Sequence, residues 1–158
     1  MAESRDRQAL VVKGWSLYIY PLFDSQLQKL ETQVAELARR DPERYKEHPA
    51  AKLLATILRY IKEIIPNDPD AAEFRQGNTL GIDNRHWFRA KFHQRYRLFF
   101  RFSSRQKVIV YAWVNDDRTL RKSGSRTDPY RVFRSMLEAG DPPVDMDQLI
   151  QRSRRVTR

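Results

Sequence analysis

The sequence contains no cysteine, which excludes disulfides and thiolate metal sites and fits a reducing compartment. Only five glycines occur, and none sits in a phosphate-cradling run. No apolar stretch approaches the length needed to cross a bilayer. Met1 to Arg7 mixes charges of both signs ahead of a few apolar residues, unlike a secretory signal. The chain is therefore expected to stay in the cytoplasm, with no membrane partner. His48, His86 and His93 form no recognisable ligand set, and Asn115-Asp116-Asp117 lacks the ordered spacing of a calcium loop. No Ser/His/Asp order reads as a triad. No metal and no cofactor is expected, which leaves an enzyme of this composition with Arg, Lys, Tyr and one His as its tools.

Positive charge is what the chain has in excess. Residues 1–74 hold 11 Lys/Arg against 12 Asp/Glu, whereas residues 75–158 hold 19 against 8. The net charge of +10 therefore belongs to the second half, which points to a polyanion, RNA or DNA first. A chain of 158 residues suits a single domain over 1–158 with one core.

Gly14 to Tyr20 roughly alternates aromatic and β-branched residues and predicts a first strand, ended by Pro21. Phe23, Leu27, Leu30, Val34 and Leu37 recur at helical spacing, with Asp41-Pro42 closing the run. A second helix is expected from Pro49, with Leu53, Leu54, Ile57, Leu58, Ile61, Ile64 and Ile65 on its buried face, and Pro66 stopping it. Together the two predict a helical hairpin. Residues 66–86 read as loop. Trp87 to Phe92, Arg95 to Phe102 and Lys107 to Val114 read as an antiparallel meander turning at His93-Gln94 and Ser103 to Gln106. A short helix follows over about Pro129 to Ala139, and residues 144–158 read as a frayed basic tail. The expected class is α+β, an antiparallel-rich twisted sheet with an N-terminal helical hairpin and a short C-terminal helix.

Strand alternation sorts the charges. Tyr96, Leu98, Phe100 and Phe102 share one face of their strand; Arg95, Arg97 and Arg101 share the other, with Phe99. In the preceding strand Arg89 and Lys91 separate from Phe88, Ala90 and Phe92 in the same way. Residues 75–114 hold nine Lys/Arg and one acid, Asp83. Such a face needs an anionic answer from elsewhere in the chain or from a ligand. Guanidinium groups fit phosphate, Trp87 and Phe99 are placed to stack on unpaired bases, and a solvated basic surface is the plainer alternative. RNA carries its own nucleophile, the 2′-OH, so its cleavage needs alignment, proton transfer and stabilisation of charge on the phosphorane oxygens. Arginines supply the last without a metal. A DNA-binding repressor lacks support, because no helix-turn-helix is recognisable.

The chain also resembles a known family. The residues that carry the likeness begin with Gly14-Trp15, Tyr18, Pro21, Phe23, Asp41-Pro42-Glu43 and Lys52-Leu53-Leu54-Ala55. They continue with Phe74-Arg75-Gln76-Gly77, Lys91-Phe92, Tyr96 to Arg101, Trp113 to Asp116, Thr119-Leu120-Arg121, Thr127-Asp128 and Tyr130. Over nearly its whole length it is similar to the YhaV toxins of the RelE-like RNase superfamily. The resemblance implies the toxin of a type II toxin–antitoxin system, an endoribonuclease that cuts mRNA on the ribosome and inhibits translation. It further implies a cognate antitoxin of the PrlF type, with DNA bound only through the antitoxin complex. By the same resemblance Arg89, Lys91 and Arg97 take the basic catalytic positions. Either Arg118 or Arg121 supplies a further one, and Tyr130 the proton transfer, with His86 and His93 as alternatives to Tyr130. Packing of the last helix is the other reading of Tyr130. Arg95, Arg101, Trp87, Phe99, His86 and His93 are the expected RNA contacts. The competing function is a non-catalytic RNA- or ribosome-binding inhibitor of translation.

Overall fold

The computed structural model describes residues 10–157. Strands β1 (Val11–Val12), β2 (Trp15–Ile19), β3 (Phe88–Phe92), β4 (Tyr96–Ser103), β5 (Val108–Val114) and β6 (Arg154–Arg155) form one sheet. Its order is β1-β2-β5-β4-β3, and β6 pairs with β2 on the outer side that β1 also uses. The β3-β4-β5 meander is antiparallel. The first strand joins it in parallel, Ser16 to Ile19 running beside Val108 to Tyr111, so the sheet is mixed. The class is α+β.

One face of the sheet is covered by α1 (Pro21–Arg40) and α2 (Pro49–Arg59). α2 runs on through a π-helical turn (Tyr60–Ile64) and a last turn (Ile65–Asn67). Both helices open on a proline, where the missing N–H has no intrahelical role, and the His48 imidazole accepts from the Ala50 amide at the start of α2. Phe23, Leu27, Ile57, Ile61 and Ile65 pack here against Leu17, Ala90, Leu98, Phe100, Ile109 and Tyr111. The π turn is anchored from the sheet, since the buried Tyr111 hydroxyl donates to the Ile61 carbonyl (2.8 Å).

The other face is covered by α3 (Pro129–Glu138), capped by Asp128, and by α4 (Met146–Arg152), capped by Asp145. Phe133, Leu137 and Leu149 seat against Phe99, Val108, Val110 and Ala112. A register shift opposite Phe99 and Phe100 adds one residue to β5 there. The extra residue turns both Ala112 and Trp113 toward α3 while Val114 returns to the hairpin side.

The expectation of a frayed tail is corrected as far as residue 157. Leu149 is fully buried, the Val156 amide donates to the Leu17 carbonyl (2.8 Å), and the Leu10 amide donates to the Val156 carbonyl (2.8 Å). Weak periodicity concealed one helical turn pair and two residues of strand, each too short to leave a pattern. Arg158 lies outside the described residues. No described helix is long and apolar enough to cross a membrane.

Candidate active site

The alternation of β3 and β4 places Arg89, Lys91 and Arg97 on the α3 face, with Arg89 opposite Phe99 and Lys91 opposite Arg97. Lys91 is exposed, but the two arginines are covered, 8% and 7% exposed, by the first turn of α3. Their common partner is Tyr130. Its hydroxyl oxygen accepts from Arg89 Nε (2.7 Å) and from Arg97 Nε (3.1 Å). Arg89 Nη1 also donates to the Glu73 and Arg75 carbonyls (3.0 and 2.9 Å). Arg97 Nη1 donates to the carbonyls of Gln94 and Tyr96 (3.0 and 2.9 Å). Each guanidinium is thereby fixed on two nitrogens, and its Nη2 has no partner among the described residues. Tyr130 oxygen, having accepted two N–H bonds, keeps its own hydrogen as the one group it can donate.

The anionic answer to these charges comes from outside the meander. Asp128, only 4% exposed, accepts from Arg121 Nη1 (2.7 Å) and the Lys122 amide (2.9 Å) on one oxygen, and from the Tyr130 amide (3.3 Å) on the other. That clasp lays the Arg121 guanidinium over the Tyr130 ring, 4.7 Å from its centre. Asn115 secures the start of the same loop. It accepts from the Arg97 amide (2.7 Å) and donates to the carbonyls of Arg95 and Thr119 (3.0 and 2.8 Å). Neither Asp128 nor Asn115 stood out as a site residue in the sequence. The signals were an Asp before Pro129, the cap pattern of a helix, and the Asn that closes β5.

Of the two loop arginines, the structure brings Arg121 to the cluster. Arg118 is exposed, and only its amide is bonded, to Asp116. Arg95 brackets the loop, exchanging its carbonyl with the Arg121 amide (2.9 Å) and its Nε with the Arg121 carbonyl (3.2 Å).

Two of the expected RNA contacts are corrected. Trp87 and Phe99 are fully buried. Phe99 lies flat on Phe133 (4.4 Å) and edge-on to Tyr130 (5.6 Å), and Trp87 meets Phe133 edge-on (5.0 Å). Neither presents a face to a base, because α3 occupies it. Arg101 is half-covered, with Nη1 donating to the Val144 carbonyl (2.5 Å) and its guanidinium over Trp87. Burial pulls its pKa down, opposed by Asp145. His86 lies beside Trp87. Burial, then the positive charge of Arg101, holds its imidazole below the ordinary value. His93 sits on the tight turn with φ of 45° and bonds Thr56 of α2 (2.9 Å), which ties it to the helical side. Among the described residues no three His, Asp or Glu side chains gather as metal ligands would.

A family model, Toxin_YhaV, described as a toxin with endonuclease activity of a toxin-antitoxin system, matches residues 17–154. "Ribonuclease toxin YhaV" of Escherichia coli strain K12 is 44% identical over 144 residues, 90% of this chain and 94% of that protein. "Toxin YhaV" of Escherichia coli O6:H1 matches to the same extent. No solved structure matches the chain.

Proposed function

The chain belongs to the YhaV family of endonuclease toxins, and from that premise we propose that it is a ribonuclease that cuts mRNA by metal-independent attack of the 2′-OH. The observation that carries the reading is the Tyr130 hydroxyl held by two arginines, Arg89 and Arg97, that each keep a free edge. In this reading the 2′-oxygen bonds to phosphorus and its proton leaves to solvent. The phosphorus–5′-oxygen bond breaks, and Tyr130 protonates the departing oxygen. The open Nη2 groups of Arg89 and Arg97, with Lys91, address the oxygens on which negative charge grows. Arg121, oriented by Asp128, adds positive charge over the Tyr130 ring. Fixed donors need no reorganisation as the charge develops, which is where their advantage over water lies.

The same reading treats the described chain as one RelE-like toxin domain acting in the cytoplasm, on ribosome-associated mRNA. A toxin of this kind has an antitoxin. We read it as PrlF-type, with any DNA contact made through the complex.

The test is purified protein with a long RNA, with and without ribosomes, in excess chelator. Cleavage should persist and leave a 2′,3′-cyclic phosphate or 3′-phosphate and a 5′-OH. A 2′-deoxy nucleotide at the cut should block it. Normal cutting of the deoxy substrate would remove the internal nucleophile. Loss of activity in chelator that a divalent ion restores would remove the metal-free route. RNA bound and never cut would leave only inhibition by occupancy.

A further inference from the structure

We propose that the cleft beside Tyr130 is a second phosphate subsite, in which Arg131 and Arg134 hold the backbone of a nucleotide flanking the one that is cut. The inference rests on the ribonuclease reading above. Neither residue belongs to the basic face that strand alternation reveals. They come from the outer stripe of α3, whose inner stripe, Tyr130, Phe133 and Leu137, is core.

The cleft has a volume of about 400 Å³ and is lined by Thr79, Arg121, Ser125, Tyr130, Arg131 and Arg134 among others. Its charge is not balanced from within. Arg121 already answers Asp128. Arg131 is exposed and has no carboxylate partner among the described residues. The Arg134 pair with Glu138 is stretched to 3.9 Å, with both side chains more than half exposed, so water and salt weaken it. Two forked donors thus remain for an outside anion.

The loop that follows Thr79 is shaped to let Arg134 in. A Cβ on Gly81 would stand 3.2 Å from the Arg134 guanidinium, and Gly81 has φ of +92°, a conformation side chains resist. Glycine there admits the guanidinium against the loop backbone. Tyr130 and Arg134 are one helical turn apart, about 6 Å along the axis, comparable to one nucleotide of an extended strand. The Thr79 hydroxyl is engaged with Gln76, and the Tyr130 ring is covered by Arg121. The cleft therefore offers charge without an aromatic platform, a grip on backbone that is indifferent to the base. RNA is favoured over an acidic protein because Tyr130, the proposed proton donor, itself lines the cleft.

The experiment compares wild type, Arg131→Ala/Arg134→Ala and Arg131→Lys/Arg134→Lys on a long single-stranded RNA at several salt concentrations. Arg59→Ala, an exposed arginine on the hairpin side, controls for net charge. In the double alanine variant KM should rise roughly tenfold while kcat falls much less. The salt slope of binding to a 2′-deoxy-blocked RNA should drop by about 0.7 for each lost contact. The lysine pair should recover most of the affinity and Arg59→Ala should leave it unchanged. Unchanged KM and salt slope in a double variant that melts like wild type overturns the subsite, as does a loss confined to antitoxin binding. A wild-type protein that cuts no RNA under any of these conditions, with ribosomes or without them, overturns the ribonuclease reading itself, and is distinguished by failing before any variant is compared.

Discussion

The two faces of this sheet are written by the same three strands and end as different materials. On the hairpin face Leu98, Phe100, Ile109 and Tyr111 meet long helices and are sealed completely. On the α3 face Phe99 and Val110 are sealed as well, but Arg89 and Arg97 beside them are covered only by a ten-residue helix and a loop. Coverage by a short helix leaves the polar ends of those arginines within reach of Tyr130 and close to the surface. One face stores stability; the other holds charge in fixed orientation, a state that an all-apolar layer could not provide and bulk water would not hold.

That contrast can be broken from either side. Phe100→Ala, on the sealed face, should lower stability by about 3–5 kcal/mol and leave the kcat of the remaining folded protein close to wild type. Chemical denaturation with activity per folded molecule checks it, and an intact midpoint would show that the hairpin face is not the stabilising one. Arg97→Ala should cost at least roughly 100-fold in rate. It should also cost about 1–3 kcal/mol in stability, because Tyr130 and two backbone carbonyls lose a buried donor. A solvated basic face, the plainer reading of the strand alternation, would leave the fold indifferent to losing Arg97; its burial removes that reading. Full activity in folded Arg97→Ala protein would refute its assignment.

What was legible, then, was direction. Period-two alternation assigned Arg89, Lys91 and Arg97 to one face correctly, and helical spacing found α1, α2 and α3. What alternation does not carry is what lies on top of a face. It could not show that α3 buries Trp87 and Phe99, or that the segment at Val144 covers Arg101. Those depend on contacts between distant parts of the chain, as does the parallel pairing of β2 with β5. The shortage of acids in residues 75–114 did signal a missing counter-charge, and Asp128 supplies part of it from beyond that window.

Tyr130→Phe sharpens the comparison within the active face. The ring keeps its edge contact with Phe99, and the two arginine Nε groups lose their acceptor. Stability should fall by only about 1 kcal/mol and the cleavage rate by about 100-fold. Single-turnover kinetics beside a melting curve reads both, and wild-type rates would return Tyr130 to a packing role. The smallest effect concerns His86. Its imidazole is held below the ordinary value by burial first and then by Arg101. The unfolded chain accordingly takes up a proton near pH 6.5 that the folded chain resists. The stabilising contribution is complete above that value and is lost as the pH falls through the lower, folded one. Tm against pH should bend downward on the acid side, and His86→Asn should flatten the bend. An identical bend in the variant would assign it to another group.

The stitching of β6 to β2 has a consequence for the order of assembly. β3, β4, β5 and α3 are near neighbours in the chain, so their pairing closes short loops and is fast. β2 lies early in the chain and, apart from its two-residue hairpin with β1, finds its partners in β5 and, at Tyr18 and Ile19, in Arg155 and Arg154. Contacts of such long sequence separation form slowly, because chain entropy opposes them until most of the fold exists. The expected sequence of events is a layer around Tyr130, the proposed site, that forms first and a sheet whose outer edge closes last, which pulse-labelled hydrogen exchange would contradict if β2 amides gained protection before those of β4. The toxin would then acquire its chemistry early in folding and its durability late, so a chain interrupted before Arg154 would carry the arginines of the site on a sheet that stays open.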